Sequence, residues 1–193
     1  MYAASIVNCP HCGVKNRVPQ DHDGGAAKCG RCHRPLTREK EPSPEGLLTL
    51  RCGACHSKNR VPYSKLHAAP KCGRCGALLE HQDVDSGRPV LVTDANFDQV
   101  VKRSPLPVLL YGWAPWCSVC SGIDSMVDQM AGETRGKVRV AKLNIQSNPR
   151  LASEYDILSV PSFFIFDAGT LRQHIPGAVP KHDLLMQLAK FLL

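Results

Sequence analysis

Long apolar runs are missing from this chain of 193 residues. No window approaches the roughly 18 consecutive apolar residues of a membrane span. Residues 1–8 also lack the basic segment and apolar stretch of a secretory signal. We therefore expect a soluble, monomeric protein of the reducing cytoplasm, without a membrane partner.

Unpaired cysteines are absent as well. All ten cysteines fall into five Cys-x-x-Cys pairs, and the last pair, Cys117 and Cys120, stands apart from the other four. Such regular spacing argues against the uneven disulfide framework of a small secreted protein. It favours metal sites together with a separate redox pair.

The first four pairs belong to a tandem repeat in which equivalent cysteines lie 43 residues apart. Each copy has the spacing Cys-x2-Cys-x16-Cys-x2-Cys, which is typical of a four-thiolate zinc site. Units of about 30 residues bury too little apolar surface to fold alone, so metal binding should supply much of their folding energy. The predicted ligands are Cys9, Cys12, Cys29 and Cys32 for one ion and Cys52, Cys55, Cys72 and Cys75 for the other.

Two alternatives stay open at these sites. The Cys-Pro-x-Cys-Gly segment at 9–13 also suits iron in a rubredoxin-like site, so the spacing does not separate two zinc ions from iron. Paired disulfides are the alternative to metal, and cytoplasmic chemistry disfavours them.

Basic residues predominate in the first half without indicating nucleic acid. Residues 1–90 hold 14 Lys and Arg against 8 Asp and Glu, but four thiolates around each divalent ion would cancel much of this excess. Tyr63 is the only aromatic residue between Tyr2 and Phe97, so base-stacking side chains are scarce. The repeated Lys-Asn-Arg-Val-Pro at 15–19 and 58–62 is interpreted as a solvated turn with a Val-Pro pair under the metal site, a recognition surface being the alternative.

The C-terminal half alternates strand and helix patterns. Apolar runs predict strands, and apolar residues at positions 123, 126, 127 and 130 share one face of a helix. A hairpin beside a parallel βαβ unit requires a mixed sheet with flanking helices, hence an α/β fold. The predicted elements are a helix capped by Thr93, a strand at 107–111, a helix from about Cys117, a strand at 138–145, a short helix at 151–155, a hairpin at 162–174 and a helix from Pro180.

The Cys117 and Cys120 pair is placed for redox chemistry. It follows a predicted strand and opens a predicted helix, where free backbone N–H groups and the helix dipole stabilise a thiolate. Cys117 is therefore the candidate nucleophile toward a substrate disulfide, and Cys120 the cysteine that resolves the mixed disulfide.

Several segments resemble the thioredoxin family. They are Trp113-Ala-Pro-Trp-Cys-x-x-Cys120, Val140-Ala-Lys-Leu-Asn-Ile145, Ser159-Val-Pro-Ser162 and Pro176-Gly-Ala178. Two segments of the repeat, Asn-Arg-Val-Pro and Ala-Lys-Cys-Gly-Arg-Cys, make the resemblance more specific. They resemble bacterial thioredoxins with an N-terminal zinc module, in which each Cys-x-x-Cys pair forms a metal-binding turn, or knuckle. This resemblance implies a thioredoxin fold, disulfide exchange with protein substrates and a thioredoxin reductase as electron donor.

The resemblance also implies a substrate groove beside the dithiol. Pro161 would be a cis-proline that faces the two cysteines, and Val160 would offer backbone groups to an extended peptide. Gly177 would line the groove, and Trp113 and Trp116 would form its walls.

Departures from the family pattern surround the dithiol. Ser118-Val119 replaces the usual Gly-Pro spacer, and Gly112 and Ser121 replace an aromatic and a basic residue. Tyr111 occupies the position of a buried Asp that helps the resolving cysteine to lose its proton. Removal of that proton from Cys120 must then use water, the Tyr111 hydroxyl or Lys142. We expect a less reducing or slower oxidoreductase than an ordinary thioredoxin.

These patterns divide the chain into five parts. We call residues 1–38 ribbon 1 and residues 47–80 ribbon 2; linkers occupy 39–46 and 81–88, and a thioredoxin-like domain occupies 89–193. The family's zinc module is usually single, so its doubling suggests tuning or targeting of the dithiol domain. The alternative function is a redox-regulated chaperone whose zinc thiolates act as a switch under oxidative stress.

Overall fold

The structure is a computed structural model that describes residues 4–8, 14–19, 28–31 and 46–192. Its contacts divide the chain into two units, residues 1–45 and 46–193. In the first unit, β1 (Ala4–Asn8) pairs with β2 (Lys15–Pro19), and in the second, β3 (Leu47–Arg51) pairs with β4 (Lys58–Pro62). Both pairs are antiparallel. The interpretation of Lys-Asn-Arg-Val-Pro as a turn is wrong, because each copy pairs along its whole length with the strand before the first cysteines.

A mixed sheet lies at the centre of the remaining part of the second unit, as predicted, and it has five strands. Its strand order is β5-β7-β6-β8-β9, and β6 runs parallel to β7 but antiparallel to β8. Flanking helices complete the α/β architecture. The strands are β5 (Val90–Val92), β6 (Val108–Trp113), β7 (Arg139–Asn144), β8 (Ser162–Asp167) and β9 (Thr170–Pro176), and the helices are α1 (Ser118–Glu133), α2 (Pro149–Glu154) and α3 (Lys181–Ala189).

The region before β6 differs from the prediction. The helix expected from Thr93 is a five-residue π-helical turn, Asp98–Lys102, that begins later in the chain. Thr93 does not cap it; the Thr93 N–H instead donates to Oδ1 of Asn96 at 2.8 Å. The three-residue strand β5 escaped the pattern analysis because it is too short to show a period.

Side chains of the central strands alternate between two apolar layers. On β6, Leu109 and Tyr111 join the layer under α1 and α3, whereas Val108 and Leu110 join the layer on the opposite face. This alternation follows from the pleat of a β-strand. Because both faces are covered, the strand carries a continuous apolar run.

Ribbon 2 packs against the end of the sheet where β6 begins. Leu106, just before β6, belongs to the same apolar cluster as Leu50 and Val61 of the ribbon. The Arg51 guanidinium donates two 2.8 Å hydrogen bonds to the Asp167 carboxylate at the end of β8. Both side chains are largely buried, at 16% and 11% exposed.

The Arg51 backbone strengthens the same junction, since its N–H donates to the Pro105 carbonyl at 2.7 Å. Nearby, Gly136 has a φ of +73°, and a Cβ there would lie 2.8 Å from Leu48 of the ribbon. The positive φ favours glycine at this position, because other residues rarely adopt this backbone conformation. Ribbon 2 is therefore joined to the sheet domain by an ion pair, a backbone hydrogen bond and a small apolar cluster of its own.

Arg51→Ala should lower the free energy of unfolding by about 3 kcal/mol, because it leaves a buried carboxylate without its partner. Urea unfolding of the metal-saturated chain measures this loss. Arg60→Ala, an exposed change on β4, is the matched control and should cost less than about 0.5 kcal/mol. Equal losses in the two variants would contradict the docking role of Arg51.

Candidate active site and metal centre

The Cys117 and Cys120 pair lies where β6 leads into α1. Cys117 is the N-cap residue of α1, and its Sγ accepts a hydrogen bond from the Cys120 N–H at 3.2 Å. The two cysteines form a disulfide in the structure. Cys117 is half-buried and Cys120 is buried, so the first sulfur is the one that a partner can reach.

The predicted groove residues come from three segments: the end of β6 with the turn after it, the residues just before β8, and the residue just after β9. The Val160–Pro161 peptide bond is cis, and the Gly177 N–H donates to the Pro161 carbonyl at 2.9 Å. Trp113 and Val160 pack against the apolar cluster that contains Cys120. Trp116 directly precedes Cys117 in the sequence, and its side chain is 66% exposed. Trp113 and Val160 thus share an apolar layer with Cys120, whereas the Trp116 side chain is open to solvent.

Tyr111 lies beneath the first turn of α1. Its side chain is fully buried, and its hydroxyl donates to the Cys120 carbonyl at 3.1 Å. Burial, assisted by the charge of Asp124, raises the pKa of Tyr111 to about 12. The hydroxyl therefore stays protonated near neutral pH and acts as a donor that holds the helix to the sheet.

Lys142 neighbours Tyr111 on the adjacent strand β7. Its ammonium, 11% exposed, contacts Asp124 at 2.7 Å and Asp128 at 2.6 Å, both on α1. Burial disfavours the charged ammonium, but the hydrogen bonds to these carboxylates outweigh it and raise the pKa of Lys142. Sequence analysis missed both aspartates, although their spacing of four residues places them on one face of a helix.

The four cysteines of ribbon 2 form a compact thiol cluster. All four Sγ atoms lie within 4.8 Å of one another, with Cys52 to Cys75 at 3.6 Å and Cys55 to Cys72 at 3.7 Å. A zinc ion bound tetrahedrally at 2.3 Å from each sulfur requires sulfur separations of about 3.8 Å. A disulfide requires about 2.05 Å, so the disulfide alternative is wrong for this cluster. The residues fit a zinc ion.

Hydrogen bonds orient these thiols. The Ser57 hydroxyl contacts Cys72 Sγ at 3.2 Å and, with backbone donors, holds the pKa of Cys72 at about 5. Asn59 on β4 contacts the second cysteine pair: its side-chain NH2 donates to Cys72 Sγ at 3.7 Å, and its oxygen accepts from the Gly73 N–H at 2.9 Å. Such contacts to ligand atoms fix their direction toward a metal.

Asn16 repeats these contacts in ribbon 1. It donates to Cys29 Sγ at 3.6 Å and accepts from the Gly30 N–H at 3.0 Å. Cys9, Cys12 and Cys32, the other predicted ligands of this ribbon, lie outside the described residues. Sequence analysis missed the role of this asparagine, although its identity in both copies was a usable signal.

Comparison with known proteins agrees with this geometry. The family model described as Thioredoxin matches residues 88–190, and the one described as Thioredoxin 2, N-terminal, matches twice, at 8–34 and 51–77. Proteins called Thioredoxin from Synechocystis sp. and Pyropia yezoensis are 45% and 44% identical over 101 residues. Each alignment covers 52% of this chain and 94% of the relative. The chloroplastic Thioredoxin M-type of Chlamydomonas reinhardtii is 43% identical over 52% of this chain and 72% of its own length.

The fold, the dithiol at a helix N-terminus and these similarities define a protein-disulfide oxidoreductase with N-terminal zinc-ribbon sequence. The chain belongs to the thioredoxin family. Its zinc ribbon is duplicated, as the repeat predicted. Among the helices of the described residues, none has the length and apolar character needed to span a membrane.

Tyr111→Phe should weaken the alkaline loss of stability. The pKa of Tyr111 is about 12 in the folded chain against 10.0 as the ordinary value, so its contribution is complete below about pH 10 and is lost as the pH rises toward 12. Urea unfolding at several pH values across this range gives the slope of unfolding free energy against pH. In the variant, this slope should decrease by the equivalent of up to one bound proton. An unchanged slope would contradict a protonated buried hydroxyl.

Proposed function

We propose that Cys117 attacks the disulfides of protein substrates and that Cys120 resolves the resulting mixed disulfide. The observation that carries this proposal is the half-buried Cys117 sulfur at the N-cap of α1, where it accepts the Cys120 N–H. A helix N-terminus stabilises the thiolate that performs the attack. Electrons would return through a thioredoxin reductase, in the cytoplasm, with the chain acting as a monomer.

The groove would select extended peptides. Cis-Pro161 and Gly177, joined by a backbone hydrogen bond, form its floor. Val160 supplies backbone groups for pairing with the peptide, and Trp113 and Trp116 provide its walls. Val119 lies between the two cysteines and Leu158 lies just before Ser159-Val160; both side chains are exposed and favour substrates with apolar residues near the disulfide.

Cys117→Ser should abolish reduction of insulin disulfides, because no thiolate remains to attack. Cys120→Ser should retain the attack and accumulate mixed disulfides with substrate. Turbidity of insulin and mass spectrometry of trapped adducts are the two measurements. Assayed beside the Synechocystis relative, the unmodified chain should react more slowly, because Ser118-Val119 replaces the usual Gly-Pro spacer and no acid occupies position 111.

Ser121→Ala is the matched control, since it removes an exposed hydroxyl in the same helical turn without touching either sulfur. It should retain full reduction. Reduction of insulin by Cys117→Ser at the original rate would exclude the proposed role of Cys117.

Two zinc ions, one in each ribbon, are proposed as the resident metals. The sulfur cluster of ribbon 2 and the matching Asn16 and Cys29 contacts in ribbon 1 support this count. A bound zinc ion would join the two knuckles of a ribbon and supply folding energy. Ribbon 2 would thereby stabilise the end of the sheet remote from the dithiol, which is how the module tunes the redox domain.

Metal analysis tests this stoichiometry. The unmodified chain should contain two zinc ions, and Cys72→Ser should contain one, because a three-thiolate site binds the ion far more weakly. Cys117→Ser should retain two and is the control. Two ions in Cys72→Ser, or iron in chain purified from cells supplied with both metals, would contradict the assignment.

A redox-regulated chaperone is the second candidate. Cys75 is the exposed member of the ribbon 2 cluster, and Leu47 and Leu78 of the same ribbon are more than 60% exposed. Peroxide that oxidises this thiol would release zinc and uncover apolar surface. Suppression of client aggregation that appears with zinc release, and persists in Cys117→Ser, would favour this function.

A further inference from the structure

The proton of Cys120 needs an acceptor of its own in this site, because the acid that the family pattern places on β6 is replaced by Tyr111. The reduced Cys120 carries its proton on a buried thiol, and the thiol must lose it before it can attack. Tyr111 cannot accept that proton, because its hydroxyl is itself protonated and donates to the Cys120 carbonyl. Lys142 cannot accept it either, since two carboxylates hold the side chain as an ammonium. Two of the routes suggested by the sequence are therefore closed.

The remaining route for the Cys120 proton is through water, and Asp124 is the nearby carboxylate on α1 that could receive it. It follows Cys120 by four residues on α1, so the two side chains occupy the same helix face one turn apart. Lys142 fixes the Asp124 carboxylate at 2.7 Å toward the sheet. The carboxylate is half-exposed, so water can stand between it and the thiol. Its charge also acts on Tyr111, the residue that contacts the Cys120 backbone.

We propose that the Asp124 carboxylate, positioned by Lys142, accepts the proton of Cys120 through an intervening water molecule. This inference rests on the proposed function. It transfers the role of an acid missing from β6 to a residue of α1. The ionisable groups that face Asp124 are Lys142 from β7, Tyr111 from β6 and Asp128 from α1.

The step balances as follows. The Cys120 proton passes to Asp124, and the resulting thiolate forms a bond with Cys117 Sγ. The bond between Cys117 and the substrate sulfur breaks, and the substrate sulfur leaves with the electron pair as a thiolate. The dithiol is thereby oxidised, the substrate disulfide is reduced, and Asp124 later returns its proton to solvent.

Quenched-flow mass spectrometry separates this step from the first attack. Reduced, zinc-loaded full chain is mixed with an excess of a disulfide-linked peptide dimer and quenched with acid. The spectra count chains that carry peptide on Cys117 and chains with the Cys117–Cys120 disulfide. Asp124→Asn should slow the decay of the peptide adduct about 100-fold at neutral pH, the lower end of the range for general acid–base catalysis. Formation of the adduct should change less than twofold.

The pH profile identifies the base. In Asp124→Asn, the rate of adduct decay should rise in proportion to hydroxide across the neutral range, because solvent must now take the proton. Asp124→Glu should recover most of the rate, since it restores a carboxylate. If Asp124 had only a structural role, Asp124→Asn would lower the rate equally at every pH, and Asp124→Glu would not restore it.

Asp128→Asn is the matched control. It removes the same charge and one of the two contacts to Lys142, but it lies two turns from Cys120. Its adduct should decay within threefold of the unmodified rate. Equal slowing in the two Asn variants, or none in Asp124→Asn, would overturn the inference while leaving the proposed function intact. Absence of any Cys117 adduct in Cys120→Ser, in which the adduct cannot be resolved, would refute the proposed function and this inference with it.

Discussion

The chemistry of this protein depends on how the first turn of α1 is held against the end of β6. The N-cap position of Cys117 directs backbone N–H groups at its sulfur, and the Tyr111 hydroxyl ties the Cys120 carbonyl to the sheet. Lys142 adds a second attachment one turn later. Because these contacts come from adjacent strands, the position of the dithiol relative to the sheet follows from the register of β6 and β7.

Much of this arrangement could be predicted from local pattern. The apolar run of β6, the helix that opens at Cys117 and the hairpin of β8 and β9 are all set by residues close together in the chain. The thiol cluster of ribbon 2 followed from spacing alone, since two knuckles with short internal loops can converge on one ion. Failures occurred where the local signal was weak, as in the short strand β5 and the strand formed by Lys-Asn-Arg-Val-Pro.

Contacts between distant segments were beyond such reasoning. Arg51 and Asp167 are separated by 116 residues, and nothing in either neighbourhood distinguishes them from exposed charges. The partners of Lys142 were missed for another reason. The family pattern suggested an acid on β6, whereas the charge balance here is satisfied from α1. The effect of Tyr111 in place of an acid is therefore understood only together with Asp124 and Asp128, which supply the negative charge next to Lys142.

The docking of ribbon 2 where β6 begins also keeps two kinds of sulfur chemistry apart. An oxidised dithiol is an oxidant for any thiolate that reaches it, and tethering within one chain can correspond to millimolar concentrations. The six residues of β6 place about 17 Å between its first and last Cα atoms, whereas a disulfide requires Cα atoms within about 7 Å. The length of β6 thus keeps the exchanging cysteines too far from the thiolates of ribbon 2 to form a disulfide with them, and it prevents the chain from oxidising its own metal ligands.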